Sequence, residues 1–174
     1  MARLVWTLAR AAPAASQSPC PDEPRQFGME DRTARCPTAL PDDVVALLLK
    51  DDFVRENLKD EGLPQDKLPP SWVMASEVRL AGRDEKDLVV MGTGRLSGAN
   101  VTTFWVFRSA DGGHQLVLTG AALELDITEE RWNGYRGIKM TKVAAGVIYT
   151  VEFRFDVKRY EAFRRCEEPI DGHF

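Results

Sequence analysis

Apolar and polar residues alternate with a period of two through much of the second half of the chain. In the run 147–156, Val147, Tyr149, Val151, Phe153 and Phe155 share one parity, and Thr150, Glu152, Arg154 and Asp156 share the other. That is the pattern of a half-buried strand. The same reading predicts strands over 72–80, 88–91, 102–108, 115–118, 123–128, 138–143 and 159–165. The run 102–108 departs from simple alternation. Phe104 and Val106 oppose Trp105 and Phe107, so both of its faces are apolar. This predicts a central strand covered on both sides, by a helix on one of them. Asp111-Gly112-Gly113 and Ala145-Gly146 lie between strands as hairpin turns, and such short connections favour antiparallel neighbours.

Ahead of the strands the period changes. Pro41 suits a first helical position, and Asp42-Asp43 then place negative charge on a helix N-terminus. Val44, Leu47 and Leu48 lie on one helical face. Phe53, Val54 and Leu58 continue it beyond a weak point at Asp51-Asp52. The expectation is one bent helix or two short ones over 41–59, ended by Gly62 and Pro64. Pro69-Pro70 separates it from the strands. The fold class predicted is α+β, mostly antiparallel β, with one N-terminal helical segment packed on a multi-stranded antiparallel sheet or half-open barrel. Residues 1–40 read as a signal-like or disordered segment and linker, 41–166 as a single folded domain with its sheet over 72–165, and 167–174 as a flexible acidic tail.

Composition narrows the function classes. The chain has 174 residues with 44% hydrophobic, enough for a sizeable core without metals or many disulfides. A formal net charge of −4 argues against nucleic acid as the main partner, because phosphate binding runs on clustered Lys and Arg. No stretch approaches the ~20 continuous apolar residues of a spanning helix. Residues 1–21 contain Arg3 and Arg10, many alanines and no acid. Leu4 to Ala9 form a short apolar core before Ala12-Pro13-Ala14, which has the small-x-small form of a cleavage site, although Arg10 interrupts it. An altered secretory signal, a transit-like segment and a plain disordered tail all fit. Gln17-Ser18-Pro19 before Cys20 is no lipidation signal. Three cysteines permit one disulfide. Cys36–Cys166 would tie the ends of the folded body together, Cys20–Cys36 would close a small loop outside the core, and three free thiols would suit a reducing compartment.

Candidate chemistry is sparse. Glu124 and Asp126 lie two apart on the polar face of a strand, about 7 Å from each other, within the range of paired carboxylates in inverting glycosidases. The alternative is a solvated strand face. His114 follows Gly113 in a tight turn and is expected to be exposed. His173 sits in the acidic C-terminal run, and two histidines so far apart make no tetrahedral metal site. Ser97 and Ser109 lie in no nucleophile elbow, and Cys166 in no Cys-x-x-Cys. Gly92-Thr93-Gly94 lacks the lysine and the strand–loop–helix context of a phosphate loop. Lys158, Arg159, Arg164 and Arg165 interleave with Tyr160 and Phe163, as on a charged edge strand that resists aggregation. The preferred binding surface is Trp132, Asn133, Tyr135 and Arg136 around Gly134, because Trp, Tyr and Arg are enriched at interaction hot spots. Its alternative is burial of Trp132 and Tyr135 against the sheet.

One ordered series of motifs carries a resemblance. It runs Gly98-Ala99-Asn100, Phe104-Trp105-Val106-Phe107-Arg108, Gly112-Gly113 with Leu116-Val117-Leu118, Asn133-Gly134-Tyr135-Arg136-Gly137-Ile138, then Tyr149 and Phe153-Arg154-Phe155-Asp156 with Arg159-Tyr160. Over roughly residues 72–166 it resembles a group of uncharacterised bacterial exported proteins with FG-GAP or VCBS-like segments. The resemblance implies an exported β-rich domain and no particular activity. Gly137 stands where such proteins carry an acid, and Val157 follows Asp156 where they carry glycine. In the acidic turn 81–87, Arg83 and Lys86 interrupt the oxygen series that a calcium loop needs. The resulting expectation is a non-catalytic binding or structural module of the cell envelope, secreted or periplasmic, without cofactor or metal. Its partner would be a protein or an envelope polymer, with the oligomeric state open. The alternative is a carbohydrate-active hydrolase using Glu124 and Asp126.

Overall fold

Nine strands and two helices form three layers in the computed structural model, which describes residues 24–82 and 86–170. In chain order they are β1 (Gln26–Gly28), α1 (Asp42–Leu48), α2 (Asp52–Asp60), β2 (Val73–Val78), β3 (Asp87–Gly92), β4 (Thr102–Ala110), β5 (Gly113–Ala122), β6 (Glu124–Trp132), β7 (Tyr135–Ala144), β8 (Val147–Phe155) and β9 (Tyr160–Pro169). All pairings are antiparallel. One sheet has the order β2-β3-β4-β5, and the other β1-β6-β7-β8-β9. The α+β, mostly antiparallel expectation holds, and the sheet is divided in two. The chain crosses between sheets at Leu123, whose N–H donates to Thr141 O and whose carbonyl accepts from Met29 N–H.

The four-stranded sheet is the middle layer. Its Val78, Val89, Met91, Phe104 and Val106 meet Leu125, Ile127, Ile138, Met140 and Phe155 of the five-stranded sheet. Its other face packs Leu88, Val90, Trp105 and Phe107 under Val44 and Leu48 of α1 and Val54 and Leu58 of α2. Phe104 to Phe107 are completely buried, so the doubly apolar run is a doubly covered strand. Fully burying a side chain of this kind contributes about 1.5–3 kcal/mol. The helical segment breaks at the weak point read from the sequence. Asp51 caps α2, its Oδ1 accepting from Phe53 N–H at 3.0 Å and Val54 N–H at 3.2 Å. The other carboxylate oxygen accepts from the Trp105 indole Nε1–H at 2.9 Å.

Four expectations change on contact with the fold. The segment read as linker supplies β1, which pairs with β6 and buries Phe27 in the inter-sheet core. Residues 167–169 belong to β9 rather than to a flexible tail, because the ladder to β8 extends through Val147↔Pro169. The Cys36–Cys166 pairing is absent. Cys166 is a free, exposed thiol on β9, and the rival Cys20 lies outside the described residues. His114 is not exposed, its side chain retaining 16% of its accessible surface. Its backbone N–H and Nδ1 both meet the Asp43 carboxylate in the first turn of α1. His173 and residues 83–85 of the acidic turn lie outside the described residues.

Burial raises the pKa of Asp43, but the His114 side-chain and backbone hydrogen bonds and the His114 charge together outweigh it, holding the carboxyl below 3.8. A depressed carboxyl stabilises the fold above its unfolded pKa and loses that contribution as pH falls through its folded value. Asp43→Asn should therefore be less stable than wild type at neutral pH in urea titrations. The gap should close as the pH drops below the ordinary value of 3.8. A gap that persists unchanged into acid would contradict the linkage.

Asp51→Ala should cost about 2–3 kcal/mol in the same assay, combining a lost cap with an unpaired indole N–H. Asp51→Asn, which can still cap through its amide oxygen, should cost less. Equal losses for the two variants would count against this account.

Candidate functional site

The five-stranded sheet buries one face against the middle layer, and its other face carries no covering layer among the described residues. Two irregularities in its ladders fall at the same level. Between β6 and β7 the register shifts between Ile127 and Arg131, leaving Thr128, Glu129 and Glu130 opposite Gly137 alone. Between β8 and β9, Glu152 pairs Arg164 and Phe153 pairs Ala162, so Phe163 is an extra residue. An extra residue bends its strand and re-aims the neighbouring side chains. These two shifts flank one hollow of about 160 Å³, whose lining includes Thr128, Trp132, Gly137, Lys139, Arg154 and Phe163.

Its centre is a stack. The Arg154 guanidinium lies 4.2 Å from the centroid of the Trp132 ring and also covers the Phe163 ring, while the two rings are 6.5 Å apart. Arginine is suited to this position because its planar cation is weakly hydrated and stacks on aromatic faces. Lys139 pairs with Asp126 at 3.0 Å, and Arg164 with Glu152 at 3.6 Å. Among the described residues, Arg154 is held by the two rings and by no carboxylate. Its Nε is buried without a hydrogen-bond partner, and so is Thr128 Oγ1 on the same wall. Buried polar atoms of this kind are uncommon and cost about 1–3 kcal/mol each when left unpaired.

The glycine at position 137 has a physical reason. A Cβ there would lie 2.7 Å from both Thr128 Oγ1 and Trp132 Cζ3. The indole occupies the space over the missing side chain, a cross-strand covering of glycine by an aromatic ring.

Only part of the surface expected at 132–136 forms. Trp132 lies half-exposed in the hollow. Asn133 makes the turn with φ +52° and donates from its side-chain amide to Phe155 O at 2.7 Å. Tyr135 and Arg136 are buried at 6% and 8% exposure, so they present no patch. The Tyr135 ring stands 4.0 Å from that of Phe155, and its hydroxyl accepts from Arg108 at 3.1 Å. The Arg136 carbonyl accepts from the Tyr160 hydroxyl at 2.7 Å. Burial first, then the Asp87 charge, raises the pKa of that phenol far above its ordinary value.

The paired carboxylates separate in environment. Asp126 is engaged by Lys139, whereas Glu124 lines a different hollow with Gln26, Gly28, Glu30, Asp31 and Arg35, which contains no aromatic side chain. Arg154, Phe163 and Thr128 were not singled out as a site from the sequence. The interleaving of Phe163 with Arg164 and Arg165 was visible, but the ladder shifts that turn Phe163 toward Trp132 were not. No family model, curated protein or solved structure matches the chain.

Gly137→Val should unseat the Trp132 ring and cost about 1–3 kcal/mol through overpacking. Trp132 is the one tryptophan among the described residues that is not classed as buried, so the variant should show red-shifted emission. Unchanged stability and emission would mean that the ring does not depend on the glycine.

Proposed function

We propose that this protein is a non-catalytic binding module exported to the cell envelope, and that it engages an acidic sugar residue of an envelope polymer through the Trp132–Arg154–Phe163 hollow. One observation carries the reading: a guanidinium fixed between two rings, with no carboxylate partner among the described residues, beside an unpaired buried hydroxyl. A uronate supplies what this arrangement lacks. Its carboxylate can accept from the guanidinium edge, its hydroxyls can pair with Thr128, and its ring can lie along the exposed aromatic edges. The hollow is shallow and open, in keeping with one residue of a longer chain rather than an enclosed small molecule. Export is supported by the acid-free, alanine-rich opening of the chain.

Oligogalacturonates should quench and shift Trp132 emission in a saturable way, whereas neutral malto-oligosaccharides should not. Arg154→Gln should abolish the response. Arg154→Lys, which keeps the charge but loses the planar fork, should weaken it at least about tenfold. An absence of saturable binding, or binding that survives both substitutions, would overturn the assignment.

A further inference from the structure

Among the described residues β9 is the outer strand of its sheet, with β8 as its one neighbour. From Glu161 to Pro169 every residue of it is exposed. Ile170 N–H donates to Gly146 O, and the alternation of an antiparallel ladder then fixes the phase along the strand. Arg164, Cys166 and Glu168 direct their backbone groups to β8, while Arg165 and Glu167 direct theirs outward. Pro169 is also an outward position, so its missing N–H costs the ladder to β8 nothing. At Arg165 and Glu167 the strand therefore offers open backbone donors and acceptors.

The side chains along that row are self-complementary. Residues 164–168 read Arg-Arg-Cys-Glu-Glu. A second copy laid antiparallel with Cys166 opposite Cys166 places Arg165 across from Glu167 and Arg164 across from Glu168, each twice by symmetry. Neighbouring registers fail. The ladder phase permits only even shifts, and centring the pair on Arg164, Arg165, Glu167 or Glu168 sets like charges opposite each other. The favoured register also brings Phe163, the extra residue at which the simple pairing ends, opposite Pro169. Phe163 and Ile170 are among the few large apolar side chains that stand exposed, at 48% and 42%.

We infer that this chain forms a two-fold dimer by antiparallel pairing of β9 with β9 of a second copy, centred on Cys166. The two five-stranded sheets become one continuous ten-stranded sheet, with both Trp132–Arg154–Phe163 hollows on the same face because the axis is perpendicular to the sheet. Cys166 faces its copy at a non-hydrogen-bonded position, where Cα atoms are about 4.5 Å apart, inside the range that a disulfide spans. The charges that would repel a wrong strand select this one register.

The test uses the full chain. Sedimentation under reducing conditions should show a concentration-dependent dimer. Arg165→Glu and Glu167→Arg should each weaken it by about tenfold or more, since each change sets two like-charged pairs across the axis. The double variant should restore it. Oxidised glutathione should link Cys166 to Cys166 in the wild type, each link taking two thiols and leaving two reduced glutathione molecules. Cys166→Ser should remove the link while keeping the reversible dimer. A chain monomeric up to ~1 mM, where even a pair with a Kd of that order would be half-formed, would overturn the inference. So would single variants that associate like the wild type, or a double variant that fails to recover. The outcome does not depend on sugar binding, so either proposal can fail alone.

Discussion

The covering of β4 on both faces is the constraint on which the rest of the architecture depends. Phe104 and Val106 need one apolar layer and Trp105 and Phe107 another, so the middle sheet cannot exist without a helical layer above and a second sheet below. The bond from the Trp105 indole to Asp51 ties that demand to the helix break. One carboxylate caps the second helix and satisfies a polar hydrogen that would otherwise be buried unpaired. Sheet and helices are thereby placed by a common residue.

Because the middle layer consumes the apolar faces, the five-stranded sheet has one face and two edges to spare. Its open face bears the two ladder shifts, and those shifts gather side chains that a regular pleat would have kept apart. Phe163, itself the extra residue on β9, stands on the outer surface, and the slack in β6 leaves Gly137 under the Trp132 ring. The open face and the open edge are consequences of the same topology. The sheet ends at β9 because the chain's last hairpin has no further strand to pair with among the described residues.

The strands were legible wherever alternation or a turn motif was strong. All eight expected strands form, and Asn133-Gly134 and Ala145-Gly146 adopt the paired positive φ that tight hairpins require. Burial was less legible than period. Val147, Tyr149 and Val151 share the inward parity of Phe155, yet they remain half-exposed while Phe155 is buried. Alternation reports which residues share a face, not how far the opposing sheet extends over it. His114 was misjudged for a related reason. Its turn is local, but the Asp43 that covers it comes from a helix 71 residues away in sequence.

By itself the sequence determined the secondary-structure types, their antiparallel pairing, a weak point in the helical segment at Asp51-Asp52 and the special standing of the 102–108 run, because period, caps and turns act over a few neighbouring residues. It also held the charge order of 164–168. Only the tertiary structure decided that the strands divide into two sheets at Leu123, that Tyr135 and Arg136 turn inward, that Cys166 stands free on an edge, and that Arg154 lies between Trp132 and Phe163. Each of these depends on register and on packing between distant segments, where a shift of one residue moves a side chain to the opposite face.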